Sequence, residues 1–127
     1  MTRNRASAKK AGTDFETLVT KYLATELNDD RIERRAKNGK NDRGDVAGVR
    51  TPRNARVVIE CKNESTGINL KTWMNEAETE AGNDDSLYPI VAHKAHGEGR
   101  AEKQWVTMRL ETFARLLEGG PDDQGEF

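Results

Sequence analysis

Residues 57–63 read VVIECKN. Three β-branched residues open the stretch, as expected of a buried strand. Side chains alternate between the faces of a strand, so Val57, Ile59 and Cys61 point one way and Val58, Glu60 and Lys62 the other. The end of an apolar strand thus presents a carboxylate and an ammonium side by side.

The flanking sequence reads as short elements around that strand. RIERRAK (31–37) and RGDVAGVR (43–50) suit two short strands joined by the polar loop NGKND. LYPIVAHKA (87–95) and QWVTMRL (104–110) suit two more, separated by the polar loop HGEGRAEK; Pro89 argues for a sheet edge. Helical spacing of Phe15, Leu18, Val19, Tyr22, Leu23 and Leu27 predicts a helix over 12–28. Leu70, Trp73, Met74, Ala77 and Ala81 predict a second over 69–81, with Gly82 as its stop. ETFARLLE (111–118) predicts a third, ending at GGP. The expected fold is α/β: a central mixed sheet flanked by helices, in a single domain over 11–120. Residues 1–10 are expected to form a flexible basic arm and residues 121–127 a mobile acidic tail.

The chain has 127 residues, enough for one core. No apolar run is long enough to cross a bilayer or serve as a signal peptide, so a soluble, cytoplasmic protein without a membrane partner is expected. The single cysteine, Cys61, excludes an internal disulfide and a multi-cysteine zinc site. The net charge of −1 conceals an asymmetry: Arg31–Arg56 holds nine Lys/Arg against three Asp/Glu. A basic face of that kind suits a polyanion such as nucleic acid.

Asp45 opens the strand before VVIECKN. If the two strands form a hairpin, Asp45 and Glu60 come within range of one metal ion. Two carboxylates and a water-filled gap suit Mg²⁺. An adjacent lysine can orient or help deprotonate a water, and can offset charge building on a phosphate.

Asp45, then Glu60 and Lys62 as Glu-x-Lys at a strand end, resembles the signature of PD-(D/E)XK nucleases. With Glu16 in GTDFE on the first helix, the set is most similar to the archaeal-type Holliday junction resolvases and their phage relatives. The resemblance spans roughly residues 9–110 and rests on GxxFE, RGDV and IECK together. One departure is Gly44, which stands where the pattern has proline. The resemblance implies a restriction-endonuclease-like fold and a homodimeric Mg²⁺-dependent endonuclease, with Mn²⁺ as a substitute, acting on branched DNA such as a four-way junction. It implies a cytoplasmic setting, that of a phage-infected bacterium included. It further implies that Asp45, Glu60 and the Cys61 carbonyl ligate the metal, that Lys62 activates the water, and that Glu16 serves a second metal or a bridging water. Lys9, Lys10, Arg34, Arg35 and Arg43 become candidate DNA-backbone contacts.

Nicking nucleases and exonucleases share such a centre, and a DNA-binding module without catalysis would also use the basic segments. Glu76, Glu78 and Glu80 are expected to solvate the outer face of the second helix. Trp73, Trp105 and Cys61 are expected in the core. His93 and His96 fall on opposite faces of their strand, which disfavours a shared metal.

Overall fold

The computed structural model describes residues 3–36 and 39–122, with Lys40 described in its backbone alone. Helix α1 spans Arg5–Glu26. Strands β1 (Glu33–Arg34), β2 (Val46–Ala47) and β3 (Val57–Lys62) follow, then helix α2 (Leu70–Asn83). Strands β4 (Tyr88–His93) and β5 (Trp105–Thr107) and helix α3 (Leu110–Leu117) complete the chain. The five strands form one open mixed sheet in the order β1-β2-β3-β4-β5. β3 and β4 run parallel, joined through α2, and the other neighbours are antiparallel. The α/β class and the element order follow the sequence expectation.

α1 starts earlier than its apolar spacing indicates. The Asn4 side chain accepts the Ser7 N–H at 2.8 Å, an N-cap that starts the helix at Arg5. Residues 5–10, expected in the arm, are therefore helical. Arg3 is tied down as well, its Nη1 donating to Asn63 O at 2.7 Å. Of the expected tail, residues 123–127 lie outside the described residues.

The two faces of β3 sort as the alternation requires. Val57 and Ile59 join Phe15, Ile32, Val46, Tyr88 and Ile90 in one core, with Leu18, Leu23 and Cys61 packed against it. On the other face Trp73, Met74 and Ala77 of α2 cover Val91. Glu60 and Lys62 emerge beneath α2. Burying the β-branched side chains on both faces contributes roughly 1.5–3 kcal/mol each, which anchors the strand end that carries the polar pair.

Pro89 lies on an interior strand rather than at an edge. It pairs with Val58, but β5 ends opposite Val91, so the flank of Pro89 toward β5 is uncovered. Trp105 departs from the core assignment: it sits on β5, the sheet edge, and is 59% exposed. Among the described residues, no helix is long and apolar enough to cross a membrane.

Candidate active site

β2 and β3 pair antiparallel with Val46 opposite Ile59. This register brings Asp45 against the end of β3. The Asp45 N–H donates to Ile59 O at 2.8 Å, and Asp45 Oδ2 accepts the Cys61 N–H at 2.7 Å. Gly44 permits the approach. Its φ is +99°, and a Cβ there would stand 2.9 Å from Val58 Cγ1 and 3.1 Å from Ile59 O. Proline, with φ held near −65°, cannot adopt that conformation.

Glu60 is buried at 5% exposure. Burial first, then the Asp45 charge and the contact with Glu80, push its carboxyl up to about 9. Burial likewise raises Glu80, to about 7, against the opposing hydrogen bond with Glu60. Glu60 Oε1 and Glu80 Oε1 are both buried without a hydrogen-bond donor. A shared proton or a cation satisfies this pair; two bare carboxylates do not.

Lys62 lies among carboxylates. Its Nζ is 3.2 Å from Glu60 Oε2, 3.2 Å from Glu76 Oε1 and 4.0 Å from Glu64 Oε2. Burial opposes its charge, but Glu60 and Glu76 outweigh that and hold the ammonium above its ordinary range. Lys62 is therefore a cation at neutral pH. Its strand partner on β4 is His93. The His93 ring lies 5.5 Å from that of Trp73, Nε2 is 2.8 Å from Thr107 Oγ1, and burial lowers its pKa.

A cleft of about 380 Å³ opens onto Glu60, Cys61 and Lys62, walled by Arg3, Ala8 and Gly12 at the start of α1. Among the described residues no three His, Cys, Asp or Glu side chains stand together in metal-ligating geometry. The donors available to a cation are thus a carboxylate pair, Asp45 and Glu60, with main-chain oxygen and water. That set suits a hard ion that retains water, and the orphaned Glu60 oxygen is a donor such an ion would use.

The other expected site residues stand on α1, on β1 and on the connection between β1 and β2. Glu16 is buried and paired with Arg34, with Nη2 to Oε1 at 3.1 Å. Arg34 is the strand partner of Val46, which places Glu16 beside the β1–β2 hairpin. Arg35 and Arg43 turn toward Asp84 at 3.8 and 3.7 Å. Lys9 is exposed on α1, and Lys10 pairs with Asp14 at 2.7 Å.

Two glutamates overturn the solvating role expected of them. Glu80 is 7% exposed against Glu60, and Glu76 binds Lys62. Glu76 and Glu78 are both half-buried, and Glu78 is paired with Arg109 at 2.9 Å. At 100° per residue the apolar side chains of α2 span an arc of about 100° from Trp73 to Met74; Glu80 falls about 20° and Glu76 about 60° beyond its Trp73 edge, outside the arc, so the wheel alone does not single them out. Compared with known proteins, the chain matches no family model, no curated protein and no solved structure.

Proposed function

We propose that the chain is a metal-dependent endonuclease that hydrolyses DNA phosphodiester bonds, with a restriction-endonuclease-like arrangement and branched DNA as its substrate. One observation carries this: Asp45 is bonded to the main chain beside Glu60, whose carboxyl is buried with one oxygen left without a hydrogen-bond donor. Binding to DNA alone gives no reason to bury carboxylates beside a basic surface, since they repel phosphate.

Asp45, Glu60 and the Cys61 carbonyl would hold Mg²⁺, or Mn²⁺ in its place. Such an ion lowers the pKa of water and polarises phosphoryl oxygens. The protein's own groups do the rest. The Cys61 N–H fixes the Asp45 carboxylate, and Lys62 fixes Glu60 through their 3.2 Å contact. The Lys62 ammonium, kept protonated by Glu60 and Glu76, orients water and offsets charge on the phosphate rather than accepting a proton. Glu76 and Glu80 are positioning residues that set the charge of this pair. The cleft beside Arg3 admits the strand.

Cutting a four-way junction symmetrically needs two such centres, hence a second copy. The surface suited to it is the sheet edge: Trp105 and Val106 on β5 with Leu110, Phe113 and Leu117 on α3 are all exposed. The test is DNA affinity with and without Ca²⁺, an ion that supports binding without turnover. Wild type tightens on DNA with Ca²⁺, and Asp45→Ala binds comparably in its absence. Equal affinity in all four cases contradicts a carboxylate pair facing the phosphate.

A further inference from the structure

A second cavity, of about 270 Å³, lies near the opposite end of β3 from Lys62 and is lined by Arg35, Arg43, Arg50, Arg56, Gly48 and Asp84. Four arginines and one aspartate line it. Asp84 does not satisfy them. Arg35 and Arg43 stand 3.8 and 3.7 Å from its oxygens, beyond hydrogen-bond distance. Arg35 Nε is buried with no hydrogen-bond partner among the described residues.

Capping of α2 explains part of the arrangement. The last turn of α2 has no basic residue of its own, and Arg56 Nη1 donates to Asp84 O at 3.1 Å. It does not explain Arg50, whose Nη1 reaches Asn54 O at 3.4 Å and which pairs with Arg56 across an isolated antiparallel bridge. That bridge puts two arginines side by side where their charges repel. An anion between them removes the repulsion. Each guanidinium offers donors in a planar fork that matches phosphoryl oxygens.

We propose that this cavity receives a second phosphoryl group of the nucleic acid, away from the one that is cut; the assignment of its source rests on the nuclease function above. Arg56 precedes Glu60 by four strand residues, about 13 Å at ~3.3 Å per residue. That corresponds to about four base-pair rises along the axis of a duplex. A strand held at both places is fixed in register without any base being read.

The test uses the full chain in EDTA, with inorganic phosphate as the probe and arginine Nε–Hε resonances as the readout. Phosphate is expected to shift the Arg35, Arg43, Arg50 and Arg56 signals saturably, and duplex DNA to displace it. The double variant Arg43→Gln/Arg50→Gln removes exposed side chains, and circular dichroism checks its fold. It is expected to bind phosphate at least about tenfold more weakly, and to lower the slope of log affinity for DNA against log salt by about two. Arg43→Lys/Arg50→Lys recovers the salt slope but not the full phosphate affinity. Arginine signals that ignore phosphate overturn the site. Phosphate bound but not displaced by DNA overturns the nucleic-acid source and leaves free phosphate as the occupant. Because the readout needs neither metal nor cleavage, loss of the nuclease function would leave phosphate binding intact.

Discussion

Asp45 and Cys61 are joined across the β2–β3 pairing: Asp45 Oδ2 accepts the Cys61 N–H at 2.7 Å. The carboxylate is thereby fixed next to Glu60 by backbone that the core on both sides of β3 holds in place. Placement of this kind, set before any ligand arrives, is what catalysis by orientation requires.

Gly44 makes that placement possible, and its substitution should separate folding from position. Gly44→Ala forces a Cβ into Val58 and Ile59 at a φ of +99°. Urea unfolding should show a loss of about 1–3 kcal/mol. Cleavage by the folded fraction should fall by about tenfold or more as Asp45 shifts. Wild-type stability with wild-type turnover would contradict the close approach.

The Glu60–Glu80 pair makes the metal-free protein sensitive to pH. Glu60 rises from 4.5 to about 9 on folding, and Glu80 to about 7. The folded state therefore holds more protons than the unfolded state within that window, so stability is full below about pH 4.5 and declines as pH rises toward 9. In EDTA, wild type should lose stability steadily between roughly pH 5 and pH 8, and Glu60→Gln should lose much less. Parallel melting-temperature profiles for the two proteins would contradict a shared buried proton.

A divalent cation should reverse that loss. Mg²⁺ or Ca²⁺ at about a hundred times its dissociation constant adds about 2.7 kcal/mol. The rise in melting temperature should be larger at pH 8 than at pH 6, because binding must expel the Glu60 proton. Asp45→Asn and Glu60→Gln should abolish it, and EDTA should restore the metal-free profile. A metal response of equal size in Glu60→Gln would place the ion elsewhere.

The exposed apolar edge should decide oligomeric state. Val106 is 60% and Phe113 47% exposed, on neighbouring elements. Light scattering should give a dimer for wild type and a monomer for Val106→Lys/Phe113→Asp. The double variant should keep its melting temperature within a few degrees, since little core is lost. A monomer in both cases, with DNA bound, would leave nicking in place of paired cuts.

Local pattern carried much of this structure. The β-branched run before Glu60 marked the central strand, and its alternation placed Val57 and Ile59 opposite Glu60 and Lys62. The spacing of Trp73 and Ala77 marked α2. What the sequence did not show plainly depended on tertiary fit. Glu76 and Glu80 look like ordinary helix charges until β3 passes beneath them. Trp105 looks like core until the sheet ends at β5 and leaves it exposed. The start of α1 hangs on a cap in which the Ser7 N–H donates to the Asn4 side chain, which apolar periodicity does not register. Arg50 and Arg56 meet only because a turn folds back between them.

Cleavage by wild type and Lys62→Ala measures the central claim most directly. Each protein is given a four-way junction, a linear duplex and a single strand of matched sequence, with Mg²⁺, Mn²⁺ or EDTA. The expected result is paired, metal-dependent cutting of the junction by wild type. Lys62→Ala should still bind the junction but turn it over about 10²–10³-fold more slowly. Binding without cutting by wild type under either metal would contradict a hydrolytic role for Asp45, Glu60 and Lys62 and leave a DNA-binding module.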